Sequence, residues 1–178
     1  MLQNRCIHSV DDADWPLIWS IYEASFPKNE RRTLDAQKTI MPHPRYRFEA
    51  WSDHAGLVGF TAWWSYERFS FLEHFAVDAR RRSGGVGRKI LAAWMERPHP
   101  VVLLEIDPVT DDISRRRWNF YERLGFLEND IAHSHPSYFD GTGSVPLLVL
   151  SYPHRIDKNI YTEFAHAEIN DMLGYLAR

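Results

Sequence analysis

The chain has 178 residues, a formal net charge of −3 and 44% hydrophobic residues, which is enough for one domain with a proper core. Its one cysteine, Cys6, excludes an internal disulfide framework, and its charge gives no general attraction to nucleic acid. No apolar run is long enough to span a bilayer, so we expect a cytoplasmic protein with no membrane or nucleic-acid partner.

Apolar periodicity predicts a mixed α/β chain in the order β, α, α, three β, α, β, α, β, β. The first helix is expected to begin with a cap at Asp11 or Asp12. The predicted strands cover residues 5–9, 46–51, 57–65, 69–77, 101–106, a segment from 126 onward, and 145–151. The predicted helices run from 15 to 22, from 34 to 40, from about 85, and from 112 to 124.

The last segment differs from the rest. Residues 156–178 have helical spacing of apolar side chains, at Ile160, Phe164, Ala167, Ile169 and Leu173. We therefore divide the chain into a domain at 1–152 and a helical extension at 153–178. The extension either packs on its own domain, which we favour, or swaps onto a second subunit in a homodimer.

Residues 80–88, Arg-Arg-Arg-Ser-Gly-Gly-Val-Gly-Arg, have the composition of a pyrophosphate-binding loop. Glycines allow close approach of the backbone, and a helix beginning near Gly85 directs its free N–H groups at the loop. The Walker pattern does not fit, because Arg88 and Lys89 follow Gly87, and the dinucleotide pattern does not fit, because Lys89 and Ile90 follow in place of its third glycine. We expect Arg80 and Arg81 to solvate the loop. The candidate ligands are Arg82, Ser83, Gly84, Gly85, Val86, Gly87 and Arg88.

The pattern Arg82-x-x-Gly85-x-Gly87 resembles the coenzyme A loop of the GNAT superfamily of acetyltransferases. The later stretch Asn119-Phe-Tyr-Glu-Arg-Leu-Gly-Phe126 is similar to the second motif of that family. The resemblance covers roughly residues 5–152. It implies an α/β fold with a central, mostly antiparallel mixed sheet flanked by helices. It also implies an N-acetyltransferase that moves an acetyl group from acetyl-coenzyme A, the cosubstrate, to a primary amine.

The same resemblance implies roles for individual residues. Backbone groups of Phe75, Ala76 and Val77 would pair with the pantetheine arm as an added strand does. Asn119 would contact the cofactor, and Tyr121 would lie near the sulfur as the general acid.

An attacking amine must lose a proton, so the site needs a base that acts directly or through water. The candidates are Glu73, His74 and Glu105. Strand alternation predicts that Glu73 and His74 face opposite sides, so that one of them faces the cleft. The resemblance favours Glu73 over Glu105, which could equally be a solvated carboxylate or pair with the arginines at 115–117.

The acceptor is open between an amine-bearing small molecule and a peptide. Residues 27–32 lie where the family covers the acceptor cleft, although an exposed turn is slightly preferred there. We expect acceptor specificity to reside in the loop at 133–144. His133 and His135 are read as loop histidines and not as metal ligands, because no Cys or HExxH frame accompanies them.

A second hypothesis is a non-catalytic module that binds acyl-coenzyme A for regulation. It predicts cofactor binding without amine-dependent release of the thiol.

Overall fold

The computed structural model describes residues 1–82, 84–138 and 143–177, and within them eight strands form a mixed sheet with helices on both faces. The strands are β1 (Gln3–Cys6), β2 (Tyr46–Asp53), β3 (Gly56–Ser65), β4 (Ser70–Val77), β5 (Val102–Ile106), β6 (Leu127–Glu128), β7 (His133–Pro136) and β8 (Ser144–Tyr152). The helices are α1 (Trp15–Ser25), α2 (Leu34–Ile40), α3 (Val86–Met95), α4 (Asp112–Glu122) and α5 (Lys158–Ala167), and a π-helical turn, Glu168–Met172, continues α5.

The strand order is β1-β2-β3-β4-β5-β8-β6, and β7 also pairs with β8. Every pairing is antiparallel except that of β4 with β5. The predicted mixed sheet, mostly antiparallel and flanked by helices, is confirmed. Two details differ: β1 begins two residues before the predicted strand, and the strand expected from residue 126 onward consists of β6 and β7.

Local sequence explains several helix ends. The Asp111 side chain accepts a hydrogen bond from the Ser114 N–H, and the Ser114 side chain accepts one from the Asp111 N–H, which caps α4 reciprocally. The predicted cap at Asp11 or Asp12 is wrong: Asp14 precedes α1, and the Asp12 carboxylate accepts from its N–H instead. Pro16 stands in the first turn, where a missing N–H costs nothing.

A β-bulge lies at Glu73. The register pairs Ala62 with His74 and Trp63 with Leu72, so Glu73 is an extra residue in β4. The prediction that Glu73 and His74 face opposite sides is therefore wrong, because the bulge shifts the alternation by one position. Phe71, Glu73, His74 and Ala76 project toward α1 and the C-terminal segment, whereas Leu72, Phe75 and Val77 project toward α3.

The strands β4 and β5 separate soon after they meet. Their ladder contains only the pairs Ser70–Val102 and Phe71–Leu103. Beyond Phe71 the edge of β4 that faces β5 has no partner strand in the described residues. The sheet therefore opens into a cleft at the C-terminal ends of these two strands.

The C-terminal segment packs against its own domain in this structure. Phe164 and Met172 are fully buried in the core that also holds residues of α1 and β4. Ile169, which the spacing placed on the apolar face, is 63% exposed. Glu168 occupies the inward position instead and is buried.

Candidate active site

The loop after β4 has the conformation that an anion site requires. Gly84 and Gly85 have φ angles of +63° and +69°, which side chains other than glycine rarely adopt. Gly85 is the residue before α3, and none of the described side chains caps that helix. Within the described residues, the first N–H groups of α3 thus have no side-chain partner. Ser83 lies outside the described residues.

The arginines of this loop differ in whether their guanidinium groups are already paired with a carboxylate. Arg80 is paired with Asp78 at 2.6 Å, and Arg81 is paired with Asp53. The Arg82 Nε donates to the Val77 carbonyl at 3.0 Å. Arg88 is exposed and has no ion pair within the described residues. Arg82 and Arg88 therefore remain the side chains that can turn toward a diphosphate.

The open edge of β4 presents a defined set of backbone groups. The Asp78 N–H donates to the Val58 carbonyl, and bonds in an antiparallel ladder alternate, so Ala76 bonds with Phe60 of β3. The same alternation directs the N–H and C=O of Phe75 and Val77 away from β3. Of the three predicted backbone contacts, Phe75 and Val77 thus lie on the open edge, and Ala76 is already bonded to β3.

Helix α4 closes the cleft from the side of α3. The Phe120 ring stacks on Phe75 with 6.4 Å between centroids, and Tyr121 packs edge-on against Phe126. Burial raises the pKa of Tyr121 to about 12, so the phenol keeps its proton at neutral pH. Its hydroxyl has no hydrogen-bond partner among the described residues. Asn119 is partly buried on the same helix, and its side chain makes no hydrogen bond to any described residue.

A small cavity of about 90 Å³ opens beside the bulge of β4. Arg117 of α4 lines it, and Tyr121 follows one helical turn later on the same side of α4. The charged and polar residues that line the cavity are Asn29, Glu30, Glu73, His74, Glu105, Asp107, Arg117, His135 and Tyr138.

Glu73 is held in a buried ion pair. Arg32 donates to both of its carboxylate oxygens, at 2.8 and 2.6 Å, and both side chains are 0% exposed. Arg32 also donates to the Met172 carbonyl at 2.8 Å. Burial would raise the pKa of Glu73, but Arg32 outweighs it and holds that pKa well below its usual range. The slight preference for an exposed turn at residues 27–32 is thus wrong for Arg32.

Glu30 is the cavity carboxylate without an ion pair in the described residues. It ends the short 3₁₀ turn Lys28–Glu30 between α1 and α2. Burial, and then the negative charge of Asp107, raise the pKa of Glu30 above its ordinary value. Asp107 itself is paired with Arg117. Glu30 is therefore the cavity carboxylate best able to accept a proton, and sequence reasoning did not single it out.

Glu105 belongs to a group that we call the Glu–His cluster, formed by Glu105, His133, His135 and Glu168. Glu105 contacts His133, and the side chains of all four are at least 92% buried. Burial opposes ionisation of Glu105, but the two histidines outweigh it and hold its pKa below the ordinary value. Burial and the Glu105 carboxylate raise the pKa of Glu168. Both alternatives for Glu105, a solvated carboxylate and a partner of the arginines at 115–117, are therefore wrong, because Glu105 is buried against His133.

The histidines of the cluster are not loop residues. His133 and His135 lie on β7, which pairs with β8, and both project inward because they alternate along the strand. His135 lines the cavity. Of the loop expected to govern acceptor choice, residues 139–142 lie outside the described residues.

Residues 44–128 match the family model of the acetyltransferase (GNAT) domain. Over these residues the chain is similar to a GNAT acetyltransferase domain. The match contains β4, the glycine loop and the Phe120-Tyr121 pair, which are the elements that build the cleft. No curated protein is close enough in sequence to this chain to count as a match.

Solved structures share the fold of the GNAT domain. A protein from Bacteroides thetaiotaomicron, assigned to the GNAT family, superposes with a TM-score of 0.88 at 23% identity, over 97% of this chain and 98% of that one. The ribosomal-protein-S18-alanine N-acetyltransferase of Escherichia coli gives 0.61 at 18% identity, over 88% and 96%. A Bacillus subtilis acetyltransferase in complex with CoA gives 0.59 at 12% identity, over 85% and 97%.

None of the helices among the described residues combines the length and the apolar character that a membrane crossing demands.

Proposed function

We propose that this protein is an N-acetyltransferase that transfers the acetyl group of acetyl-coenzyme A directly to a primary amine. The observation that carries the proposal is the gap between β4 and β5. The uncapped N-terminus of α3 lies at one end of this gap, and the cavity containing Glu30 lies beside it. A structure of the B. subtilis acetyltransferase with CoA, which shares the fold, supports coenzyme A as the ligand.

The residues around the gap suit the cosubstrate. The loop at Gly84 and Gly85 and the first turn of α3 would hold the diphosphate, with Arg82 and Arg88 as cationic partners. Backbone groups of Phe75 and Val77 would bond the pantetheine arm as an added strand, and one of their N–H groups would polarise the thioester carbonyl.

The charges of the cavity suit a cationic acceptor. Glu30, Glu73, Glu105 and Asp107 all line it; the last three are paired with arginines or a histidine, and Glu30 has no ion pair among the described residues. An alkylamine has a pKa near 10.4 and arrives protonated. We assign the removal of that proton to Glu30, directly or through water, because its carboxylate is unpaired. Glu73 and Glu105, the bases predicted from sequence, are each already engaged by a cationic partner.

Tyr121 is assigned as the proton donor to the departing thiolate. Its buried phenol stays protonated, and its hydroxyl is not engaged by another described residue. Asn119, two residues before Tyr121 on α4, is assigned to contact with the cofactor.

The decisive experiment measures thiol release from acetyl-coenzyme A with small amines, lysine peptides and peptides that begin with alanine. The last are included because the E. coli neighbour is named for an alanine N-terminus. We expect release that depends on one acceptor class, and a decrease in kcat of about 10²-fold for Tyr121→Phe. Tyr152→Phe, which removes a phenol near Phe126, is the matched control.

Tight binding of coenzyme A without release for any acceptor would favour the regulatory module instead. A Tyr121→Phe variant as active as the parent would remove Tyr121 from the mechanism.

A further inference from the structure

The Glu–His cluster brings four metal-binding side chains from three separate elements into one buried position. Glu105 comes from β5, His133 and His135 from β7, and Glu168 from the first residue of the π-helical turn. One ligand atom each of Glu105, His133 and Glu168 lies within 4.8 Å of the other two. His135 Nε2 lies 3.8 Å from Glu168 Oε1. Catalysis of acetyl transfer as proposed above does not use His133 or Glu168.

Two atoms of the cluster are buried without a hydrogen-bond partner among the described residues. They are His135 Nε2 and Glu168 Oε1, on side chains that are 3% and 4% exposed. A buried polar atom without a partner costs about 1–3 kcal/mol, so native structures rarely retain one unless an ion or water completes it. Both atoms are directed into the same space.

The outer hydrogen bonds orient both imidazoles as metal ligands. His135 Nδ1 donates to the Pro136 carbonyl at 2.6 Å. His133 Nδ1 lies 3.2 Å from the Tyr161 hydroxyl, which in turn donates to the Ala132 carbonyl. The bond to Pro136 leaves the lone pair of His135 on Nε2, and His133 Nε2, which contacts the Glu105 carboxylate, would give up its proton on binding a metal. Ligating histidines are characteristically held by such bonds through their other nitrogen.

The charges of the cluster suit a cation. His133 Nε2 is in contact with a Glu105 carboxylate oxygen, and the second carboxylate, Glu168, lies 3.6 Å from the same nitrogen. Two carboxylates therefore face one buried space, where both would attract a positive ion. One divalent ion would neutralise the two carboxylates in a site from which water is excluded.

The dimensions fit a tetrahedral ion. Zinc lies about 2.0–2.2 Å from nitrogen and oxygen ligands, so its ligand atoms are about 3.3–3.6 Å apart. The separations of Glu168 from His133 and from His135, 3.6 and 3.8 Å, are close to this range, and His133 and Glu105, which are in closer contact, would move apart to admit the ion. Nitrogen and carboxylate ligands together select zinc-like transition metals over Mg²⁺ and Ca²⁺, which prefer oxygen alone.

We propose that the Glu–His cluster binds one Zn²⁺ ion, with Glu105, His133 and Glu168 as the ligands that already converge and His135, close to Glu168, as the fourth. Four protein ligands make the site closed and structural, because no position remains for a reacting water. The ion would join β5, β7 and the C-terminal segment, and would fix His135 in the wall of the acceptor cavity.

The test is calorimetric titration of Zn²⁺ into the untagged full chain after chelator treatment and removal of the chelator. We expect one ion per chain, and binding weakened by more than about tenfold in both His133→Ala and Glu168→Gln. His166→Ala and Glu163→Gln change exposed residues of α5 and should bind as the parent does. No acetyl-coenzyme A is present, so the result is independent of the proposed acetyl transfer.

Two further readouts use the parent alone, in case a variant fails to fold. Substitution with Co²⁺ should give the intense visible bands of a four-coordinate ion. The melting temperature should rise with Zn²⁺ concentration and not with Mg²⁺. The proposal is overturned by the absence of saturable Zn²⁺ binding, by the weak bands of six-coordinate Co²⁺, or by equal binding in the folded cluster variants and their controls.

Discussion

At the scale of single residues, the site shows that a carboxylate's partners decide its chemistry more than its position on a strand does. Glu73 projects toward the cavity but is bound by Arg32 through two hydrogen bonds. Glu30 comes from a three-residue turn, has no ion pair among the described residues, and is partly desolvated. A general base needs a pKa closer to the working pH, which desolvation provides and a guanidinium removes.

We therefore predict that Glu30→Gln lowers kcat/KM by about 10²-fold. Because the folded-state pKa of Glu30 is raised, the parent should gain activity as pH rises through that value. The activity of the variant should not show this rise with pH. Rates measured across pH with saturating acetyl-coenzyme A test the prediction, and Glu122→Gln, an exposed residue of α4, is the control. An unchanged profile in Glu30→Gln, with loss in Glu73→Gln or Glu105→Gln, would return the role to the bases predicted from sequence.

At the scale of elements, the sequence predicted those helices and strands whose positions are set by residues close to one another in the chain. The continuous apolar residues of β5 and the glycines before α3 gave both elements to within one residue. The bulge at Glu73 was not predictable, because a strand of apolar residues reads the same with or without one extra residue. Arg32 was similarly hidden: a run of charged residues indicates exposure unless the partner, here Glu73, is known. Glu168 reached the site through the tail, and spacing alone favoured Ile169 for the inward position.

Gly85 provides the test of the loop. Alanine at φ +69° is strained by about 1–2 kcal/mol, and relief of that strain would turn the first N–H groups of α3 away from a phosphate. We expect Gly85→Ala to weaken coenzyme A binding at least about tenfold, measured by calorimetry. Gly56→Ala is the matched control, because Gly56 has φ +108° in the turn between β2 and β3. It should lose comparable stability and keep cofactor affinity; equal losses of affinity in both variants would contradict the prediction.

At the scale of the whole molecule, the Arg32–Glu73 pair connects three parts of the chain. Arg32 precedes α2, Glu73 lies in the central sheet, and the Met172 carbonyl belongs to the C-terminal segment. Four aromatic rings surround the guanidinium within 6.0 Å, those of Tyr46, Trp64, Tyr138 and Tyr175. Removing one member of a buried pair leaves the other charge without compensation.

We predict that Glu73→Gln lowers the free energy of unfolding by about 3–5 kcal/mol. The control Glu163→Gln breaks an exposed pair with Arg68 and should cost less than about 1 kcal/mol. Urea denaturation measures both. The double variant Arg32→Met with Glu73→Leu should recover most of the loss, since it leaves no unpaired charge; similar losses in Glu73→Gln and Glu163→Gln would show that the pair is unimportant.

The same pair determines how the molecule responds to acid. Because the pKa of Glu73 is lower in the folded than in the unfolded chain, its contribution to stability is complete above about pH 4.5. Below that pH the unfolded chain binds a proton that the folded chain does not, so stability declines as pH falls.

The gap between β4 and β5 makes the sheet incomplete in the free protein. A bound pantetheine arm would serve as the missing strand. The fraction of cofactor bound and the rigidity of the sheet would then both measure the same binding equilibrium. The amide protons of Phe75 and Val77 would then exchange slowly only in the liganded state. In such a fold, the rigidity of the central sheet depends on whether the cleft is occupied.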